Sequence, residues 1–533
     1  MTTKGIVAAS QPLAAAAGVR VLEDGGNAVD AAIAANAVMG VVEPQSCGIG
    51  GDLFAIVFDA ATGEVHGLNA SGWAPAGLTP AVLKGQALSE MPSGGIHTVT
   101  VPGAVAGWQA LAARHGTRPL AGLLLPAIAC ADEGFPVTDV IAAHWEMLGP
   151  KLASQSSAAT TYLPEGRPPQ AGEVFRNPDL AASLRLIARD GRDGFYRGPT
   201  ADALLAASRD LGGTMDASDL RDLEPEWVDP ISTTYRGCTV HELPPNTQGL
   251  AALLMLNLLE QFPLSEYGFH SANALHVMIE AKKFAYADML QHVGDPRFSG
   301  TSLTPLLDKS AAKVRARLID LRQAAADVQP SVLPGLTSSV GADTIYMCTI
   351  DRHGNIVSLI QSIYEGFGSG IVPAGTGFAL HNRGALFTLD EGHPNVLAPR
   401  KRPLHTIIPA FMSHGDVRIG FGIMGGFNQA QAHAQFVANI VDFGLDIQAA
   451  LEAGRFTKRT FTGTDVFVEA HIPESAQRAL AARGHDITVV PPRTGTFGYG
   501  QAVMSDGAGV HYGASDPRHD GAAIPEAPAQ RQD

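Results

Sequence analysis

Cysteine is scarce in this chain. Cys47, Cys130, Cys238 and Cys348 are the only four in 533 residues, and no two form a Cys-x-x-Cys pair. Neither a disulfide framework nor a thiolate zinc site is therefore expected. No uninterrupted apolar run reaches the ~20 residues of a membrane-spanning helix. Residues 1–10 carry one Lys and no apolar stretch of the kind a secretory signal needs. The expectation is a soluble, cytoplasmic protein without a membrane partner. Positive charge is also in deficit, with 37 Lys and Arg against 52 Asp and Glu, a net charge of −15. Phosphate backbones need concentrated Lys and Arg, so nucleic acid is not expected as a partner. Several catalytic signatures are missing too. There is no His-Glu-x-x-His of a zinc protease and no Gly-x-Ser-x-Gly elbow of an α/β-hydrolase. The glycine loops at residues 48–51 and 366–370 continue into neither a dinucleotide fingerprint nor a Gly-Lys-Ser/Thr phosphate loop.

What is present is a long, apolar chain. It is 45% hydrophobic, with 59 Gly and 35 Pro, and its length alone points to two or more domains. Asn27 is placed to cap an Ala-rich, nearly uncharged helix through Met39, a pattern typical of a helix buried between layers. Residues 53–58 read as a strand, and helices follow Pro102 and Pro119. Two helical patterns occupy residues 178–211, and a strand at 238–243 ends in the turn Pro244-Pro245-Asn246-Thr247-Gln248-Gly249. Helices are expected over 250–262 and 272–292. Strands at 344–350 and 356–364 are joined by the turn residues Asp351, His353, Gly354 and Asn355. A helix around 429–443 holds an isolated His433, read as structural, and a hairpin at 502–514 closes the chain. Helical and strand patterns interleave without regular βαβ alternation, which indicates layered α/β sheets flanked by helices.

Residues 330–339 are rich in Pro, Gly and Ser and read as an exposed, flexible segment. They lead to Asp343-Thr344 at the start of a strand. A cut between these two residues would give Thr344 a free α-amine, which titrates near pH ~8, beside its own hydroxyl. That is the arrangement of an N-terminal threonine nucleophile with a built-in base. Taken alone, a Thr opening a strand is an ordinary β-former.

The chain resembles the γ-glutamyltranspeptidase family of N-terminal-nucleophile hydrolases over nearly its whole length. The matching runs include Glu23-Asp24-Gly25-Gly26-Asn27-Ala28-Val29-Asp30, Gly48-Ile49-Gly50-Gly51 and Val101-Pro102-Gly103. Others are Glu280-Ala281-Lys282-Lys283, Gly294-Asp295-Pro296-Arg297, Lys401-Arg402-Pro403-Leu404, Gly425-Gly426 and Ser515-Asp516-Pro517-Arg518. The resemblance implies an αββα sandwich built from two processed chains, 1–343 and 344–533. These would form a heterodimer, open to further oligomerisation. Thr344 would be the nucleophile acting on a small-molecule amide, with no cofactor and no metal. Ser362 falls where the family places a hydroxyl that positions the nucleophile, and Gly425 and Gly426 match its backbone oxyanion hole.

Departures from the family pattern bear on the substrate. Where γ-glutamyl-binding members hold the α-carboxylate with an Arg, this chain has Ser71, and where they hold the α-amine with an Asp it has Leu386. The family's Ser-Ser pair is His405-Thr406 here, and Tyr364 replaces an Asn. Two charge-assisted contacts, each about 1.5–3 kcal/mol, are thereby lost. Arg383 either supplies the missing positive charge or lies on the surface. Trp73 either walls an acyl group or packs in the core. The leading expectation is a self-processing amidohydrolase of the family's divergent branch, whose acyl group carries a carboxylate. A γ-glutamyl hydrolase or transferase acting on glutathione-like substrates and an uncleaved, non-catalytic relative remain as alternatives.

Overall fold

A computed structural model describes residues 1–300, 302–331 and 343–527, Asp343 by its backbone alone. Most of the segment read as flexible, from residue 332 onward, lies outside the described residues. No helix among the described residues is long and apolar enough to cross a membrane.

The strands that build the two main sheets are, in chain order, β1 (Ile6–Ala9), β2 (Asp52–Phe58), β3 (Val65–Ala70), β4 (Glu226–Val228), β5 (Ile231–Tyr235) and β6 (Cys238–Glu242). They continue with β7 (Asp343–Ile350), β8 (Ile356–Tyr364), β9 (Ala410–His414), β10 (Val417–Ile423), β11 (Gly500–Ser505), β12 (His511–Ser515) and β13 (Ala522–Pro525). One sheet has the order β13-β1-β7-β8-β2-β3-β4 and the other β12-β11-β10-β9-β6-β5, with antiparallel pairing throughout. The central pair of the first sheet, β7 and β8, comes from beyond residue 343 and lies between strands from the chain's beginning. Two or more separable domains, the expectation from length, are thus replaced by one interleaved sandwich.

Strand alternation divides the first sheet into two faces. Phe54, Ile56, Tyr346, Cys348 and Ile360 meet Phe411 and Val503 of the second sheet, and Met424 just after β10, in a core between the sheets. Leu53, Ala55, Met347 and Leu359 point the other way, onto helices α1 (Pro12–Glu23), α2 (Ala28–Val42) and α3 (Ala104–His115). On the far side of the second sheet, Val240, Met412, Ile419 and Phe421 pack against α4 (Gly249–Leu259), α5 (Ala272–His292) and α6 (Asn428–Val441). The result is four layers in the order αββα.

The sequence rationalises the central helix. Asn27 Oδ1 accepts the N–H groups of Val29 and Asp30 while Asp30 Oδ2 accepts that of Asn27, a reciprocal capping box. The helix is buried on nearly every side. Its interior Asn36 accepts Trp108 Nε1 through Oδ1 at 2.7 Å. The loop at residues 48–51 is glycine-rich because of close approach. A Cβ on Gly51 would stand 2.3 Å from the Ser362 carbonyl oxygen and one on Gly50 2.1 Å from that of Ala379. His433 is structural, as expected: Nδ1 lies 2.8 Å from Glu242 Oε1 and Nε2 accepts the Ile423 N–H at 3.0 Å.

Candidate active site

Three polar side chains line up at one end of the layer between the sheets. Thr344 lies two residues before Tyr346 on β7, Ser362 two after Ile360 on β8, and Asp52 two before Phe54 on β2. The pleat therefore aims all three into the inter-sheet layer, at the point where its apolar filling ends. Ser362 is the register partner of Asp52. Thr344 Oγ1 donates to Ser362 Oγ at 3.2 Å, and the Tyr364 N–H reaches the same oxygen at 2.8 Å. A bulge between Gln361 and Tyr364 ends the regular register of β8 with β7. Tyr364 itself has φ +78°, a conformation that side chains rarely adopt and that clusters at functional sites.

The opposing sheet supplies the rest. Gly422 on β10 lies under the ring of Tyr346, where a Cβ would come within 2.4 Å of it, and Gly420 lies under Ile356. Following β10 from Gly420 to Gly422 thus leads toward the Thr344 end of β7, and the next turn holds Gly425 and Gly426. Both have positive φ, +117° and +60°. Among the described residues no acceptor takes the amide N–H of either. The turn is tied down through Gln248, whose Nε2 donates to the Gly426 carbonyl at 2.8 Å and also to the carbonyl of Thr406. The Pro244–Gly249 turn, read from the sequence only as a turn, thereby links the Gly pair to His405-Thr406.

Arg383 is not on the surface; it is fully buried. Its Nη1 donates to Thr406 Oγ1 at 2.7 Å, and its guanidinium carbon stands 4.3 Å from the centre of the Tyr364 ring. Nε and Nη2 have no partner. Burial pushes its pKa down to about 10, offset in part by Tyr364, Asp52 and Glu365, so the group remains a cation at neutral pH. Its two unpartnered nitrogens form the side-on edge of the guanidinium, the edge that pairs with a carboxylate through two parallel hydrogen bonds.

Two residues of this cluster were not singled out in the sequence, Asp52 and His381. Asp52 Oδ2 is 3.0 Å from His405 Nε2, and Oδ1 accepts the Gly72 N–H at 2.9 Å. His381 Nδ1 is 3.2 Å from the same Oδ2, off the hydrogen-bonding direction, so this contact is electrostatic. Burial alone would raise the Asp52 pKa. The attraction of His381 and the hydrogen bond from His405 outweigh it and hold the carboxyl well below the usual range. Burial, then the nearby Arg383, pushes His405 down to about 3 against the pull of Asp52, leaving a neutral imidazole that donates from Nε2. Alternation along residues 52–58 places Asp52 on the face of Phe54. That signal was present in the sequence, but only in combination with the position of Ser362.

Trp73 does not join this group. Its buried ring has the guanidinium groups of Arg297 and Arg400 at 5.7 and 5.8 Å. Ser71, at the position of the family's Arg, is buried and bonded to Asn69 Oδ1 at 2.7 Å. Asp343 is the first residue of β7.

Two antiparallel sheets face to face between helical layers, with a threonine at the end of a central strand, define an N-terminal-nucleophile hydrolase, and the protein is an enzyme of that class. The profile of the Gamma-glutamyltranspeptidase family matches residues 14–526. The Glutathione hydrolase-like YwrD proenzyme of Bacillus subtilis is 37% identical, over 98% of this chain and 98% of its own. The Oxamate amidohydrolase proenzyme of Klebsiella pneumoniae is 33% identical, again over 98% of each. The crystal structure of a cephalosporin acylase from Bacillus halodurans superposes with a TM-score of 0.91 at 43% identity, covering 98% of this chain and 95% of that one. The chain belongs to the γ-glutamyltranspeptidase family.

Proposed function

We propose that the protein matures by cleaving its own chain between Asp343 and Thr344, and then hydrolyses a small amide whose acyl group bears a carboxylate. The two products, 1–343 and 344–533, stay together because β7 and β8 are hydrogen-bonded between β1 and β2. The freed α-amine of Thr344 takes the proton of its Oγ as that oxygen attacks the amide carbonyl. The carbonyl π electrons move to oxygen, and the N–H groups of Gly425 and Gly426 receive the oxyanion. Collapse expels the amine, which takes the proton from the α-ammonium. Water then repeats the sequence on the ester and releases the carboxylic acid. Ser362 holds the nucleophile's oxygen in place.

The observation that carries the substrate class is the Nε–Nη2 edge of Arg383, buried, cationic and unpartnered, on a guanidinium that lies over Tyr364, whose N–H bonds the Ser362 hydroxyl that also holds Thr344. A bare buried cation is costly, and a carboxylate is the group that fits it. Ser71 and Leu386 leave no counterpart of the family's α-amino acid recognition, which favours an acyl carboxylate without an α-amine over a γ-glutamyl group. Oxamate, named for the Klebsiella relative, is an amide of this kind.

The test is hydrolysis of oxamate and of oxalyl, succinyl and glutaryl p-nitroanilides, each anilide against its uncharged acyl counterpart and γ-glutamyl p-nitroanilide. The expected result is a preference for a carboxylate-bearing acyl group that Arg383→Gln removes, with KM rising about tenfold or more. Equal turnover of charged and uncharged acyl groups, or γ-glutamyl as the preferred acyl group, would overturn the reading.

A further inference from the structure

Arg383 has an acidic neighbour that does not touch it. Asp52 is bonded to His405 and Arg383 to the adjacent Thr406, and the charges of Asp52 and Glu365 favour the guanidinium cation, yet among the described residues neither forms an ion pair with it. Glu365 is turned away and accepts Asn382 Nδ2 at 3.0 Å. Asp52 is fully buried, as are His381, His405, Thr406 and Arg383. A free carboxylate and a guanidinium enclosed together form a two-point pair, and with Nη1 engaged by Thr406 the edge left for such a pair is Nε–Nη2.

What prevents this is the way Asp52 is held. Gly72 N–H takes Oδ1 at 2.9 Å, and His405 Nε2 takes Oδ2 at 3.0 Å, with His381 Nδ1 at 3.2 Å from that same oxygen. Neither imidazole is free to move. His381 Nε2 is fixed on the Thr100 carbonyl at 2.9 Å. His405 is pinned by its own backbone, with its N–H on the Asn246 carbonyl at 2.8 Å and its carbonyl accepting the Gln248 N–H at 3.0 Å. The ring of Phe54 meets it edge-on.

We propose that Asp52 is a caged counter-charge that sets the specificity of the site. Its field stabilises the buried Arg383 cation, while His405, His381 and the Gly72 amide hold the carboxylate away and keep the Nε–Nη2 edge open for the carboxylate of the substrate. This rests on the reading of Arg383 given above and adds three specificity-determining positions to it, Asp52, His405 and His381. The arrangement has a signature that a merely structural role lacks, because the two sides of the cage act in opposite directions. Removing His405 releases Asp52 to compete for Arg383, whereas neutralising Asp52 removes the competitor and strengthens the positive field.

The experiment uses the mature enzyme, after mass spectrometry has shown complete cleavage, and the carboxyacyl p-nitroanilide that wild type turns over best. The quantity read is the ratio of its kcat/KM to that of the matched uncharged acyl anilide, together with competitive inhibition by the free dicarboxylate. His405→Ala is expected to lower the ratio about tenfold or more, and His405→Gln, which keeps an N–H for Asp52, to recover most of it. Asp52→Asn is expected to hold or raise the ratio and to tighten inhibition by the dicarboxylate. In the double variant, Asp52→Asn should rescue the ratio lost in His405→Ala. If Asp52→Asn stays uncleaved, His381→Ala opens the other flank of the carboxylate and must lower the ratio as well. A ratio unchanged in the histidine variants, or lowered by Asp52→Asn as it is by His405→Ala, would overturn the cage while leaving the anion site standing. A wild-type ratio near one would overturn the anion site, and the cage with it.

Discussion

Thr344 Oγ1 donates to Ser362 Oγ across 3.2 Å, joining the first described side chain of β7 to the last inward-facing hydroxyl of β8. The two strands are neighbours in the sheet, and the contact falls at the bulge just past the last regular pair, Ile345 with Gln361, so the strands and not a loop set the distance. A hydroxyl held by a sheet is a rigid nucleophile.

This geometry makes a graded prediction. Thr344→Ala should give a single full-length species by intact mass and no amide hydrolysis. Thr344→Ser retains the attacking oxygen but loses the β-branch that restricts χ1, so it should mature and react more slowly. Ser362→Ala removes a hydrogen bond worth about 1 kcal/mol, which corresponds to roughly a fivefold to tenfold loss in kcat. If Ser362→Ala leaves both cleavage and kcat unchanged, its positioning role is wrong.

Gly425→Ala tests the oxyanion assignment. A Cβ there would sit 3.4 Å from Asn428 Cβ, so space is not the obstacle. The obstacle is φ +117°, which side chains avoid at a cost of about 1–3 kcal/mol. Relief of that strain rotates the peptide and re-aims the amide. The expected outcome is a kcat loss of about 10²–10³ with little change in KM, measured on protein whose melting temperature shows it is folded. A variant with wild-type kcat would remove Gly425 from the mechanism.

The layers of the fold were legible because their causes are local. The Asn27 cap, the uncharged helix behind it, the alternation over residues 356–364 and the turn chemistry of 351–355 each act over a few residues. The site was legible only in part. Thr344, Ser362 and the Gly pair could be named through family resemblance, but whether Arg383 was buried or exposed could not. That depends on Tyr364 and Thr406, which are 19 and 23 positions away in the chain. Asp52 was passed over for a similar reason. A carboxylate that opens a strand looks like a solvated end until the sheet order sets it beside Ser362 and the opposing sheet brings His405 down upon it. For Trp73 the sequence left a pocket wall and core packing open, and the buried ring beside Arg297 and Arg400 is the second of these.

Glu242 and His433 form a buried pair whose character can be decided. His433 Nε2 accepts the Ile423 N–H, so Nδ1 carries the proton it gives to Glu242 Oε1 at 2.8 Å. Burial raises the Glu242 pKa against the attraction of His433. The contact is thus a hydrogen bond from a neutral ring, and Glu242→Gln should be tolerated within about 1 kcal/mol. Glu242→Ala strands a buried N–H and should cost at least the ~1–3 kcal/mol of an unmet donor. Denaturant unfolding of the two variants checks this, and equal destabilisation by both would restore the ion-pair reading.

Acid should weaken the support of the Gly425 turn from behind. Glu469 accepts Arg518 Nε at 2.8 Å and the Arg455 N–H at 2.9 Å, and Arg455 also donates to the Gly498 carbonyl at 2.9 Å and to Asp516 Oδ2 at 2.6 Å. Gly498 presses on the Met424 carbonyl so closely that a Cβ would stand 1.9 Å from it, next to Gly425. Burial opposes ionisation of Glu469, but the hydrogen bonds and charges of Arg518 and Arg455 prevail and lower its folded pKa. The sign follows from linkage. A group whose pKa is depressed on folding contributes stability that is complete above the unfolded value, about 4.3 for Glu, and is lost as pH falls through the folded value. The melting temperature should therefore fall steeply below about pH 4.3. Glu469→Gln should start lower at neutral pH, since breaking a buried ion pair costs about 3–5 kcal/mol, and show a shallower acid slope. Because the network ends at the Gly425 turn, kcat of that variant should drop at neutral pH while KM holds. Parallel acid slopes for wild type and variant would show that Glu469 is not the group being titrated.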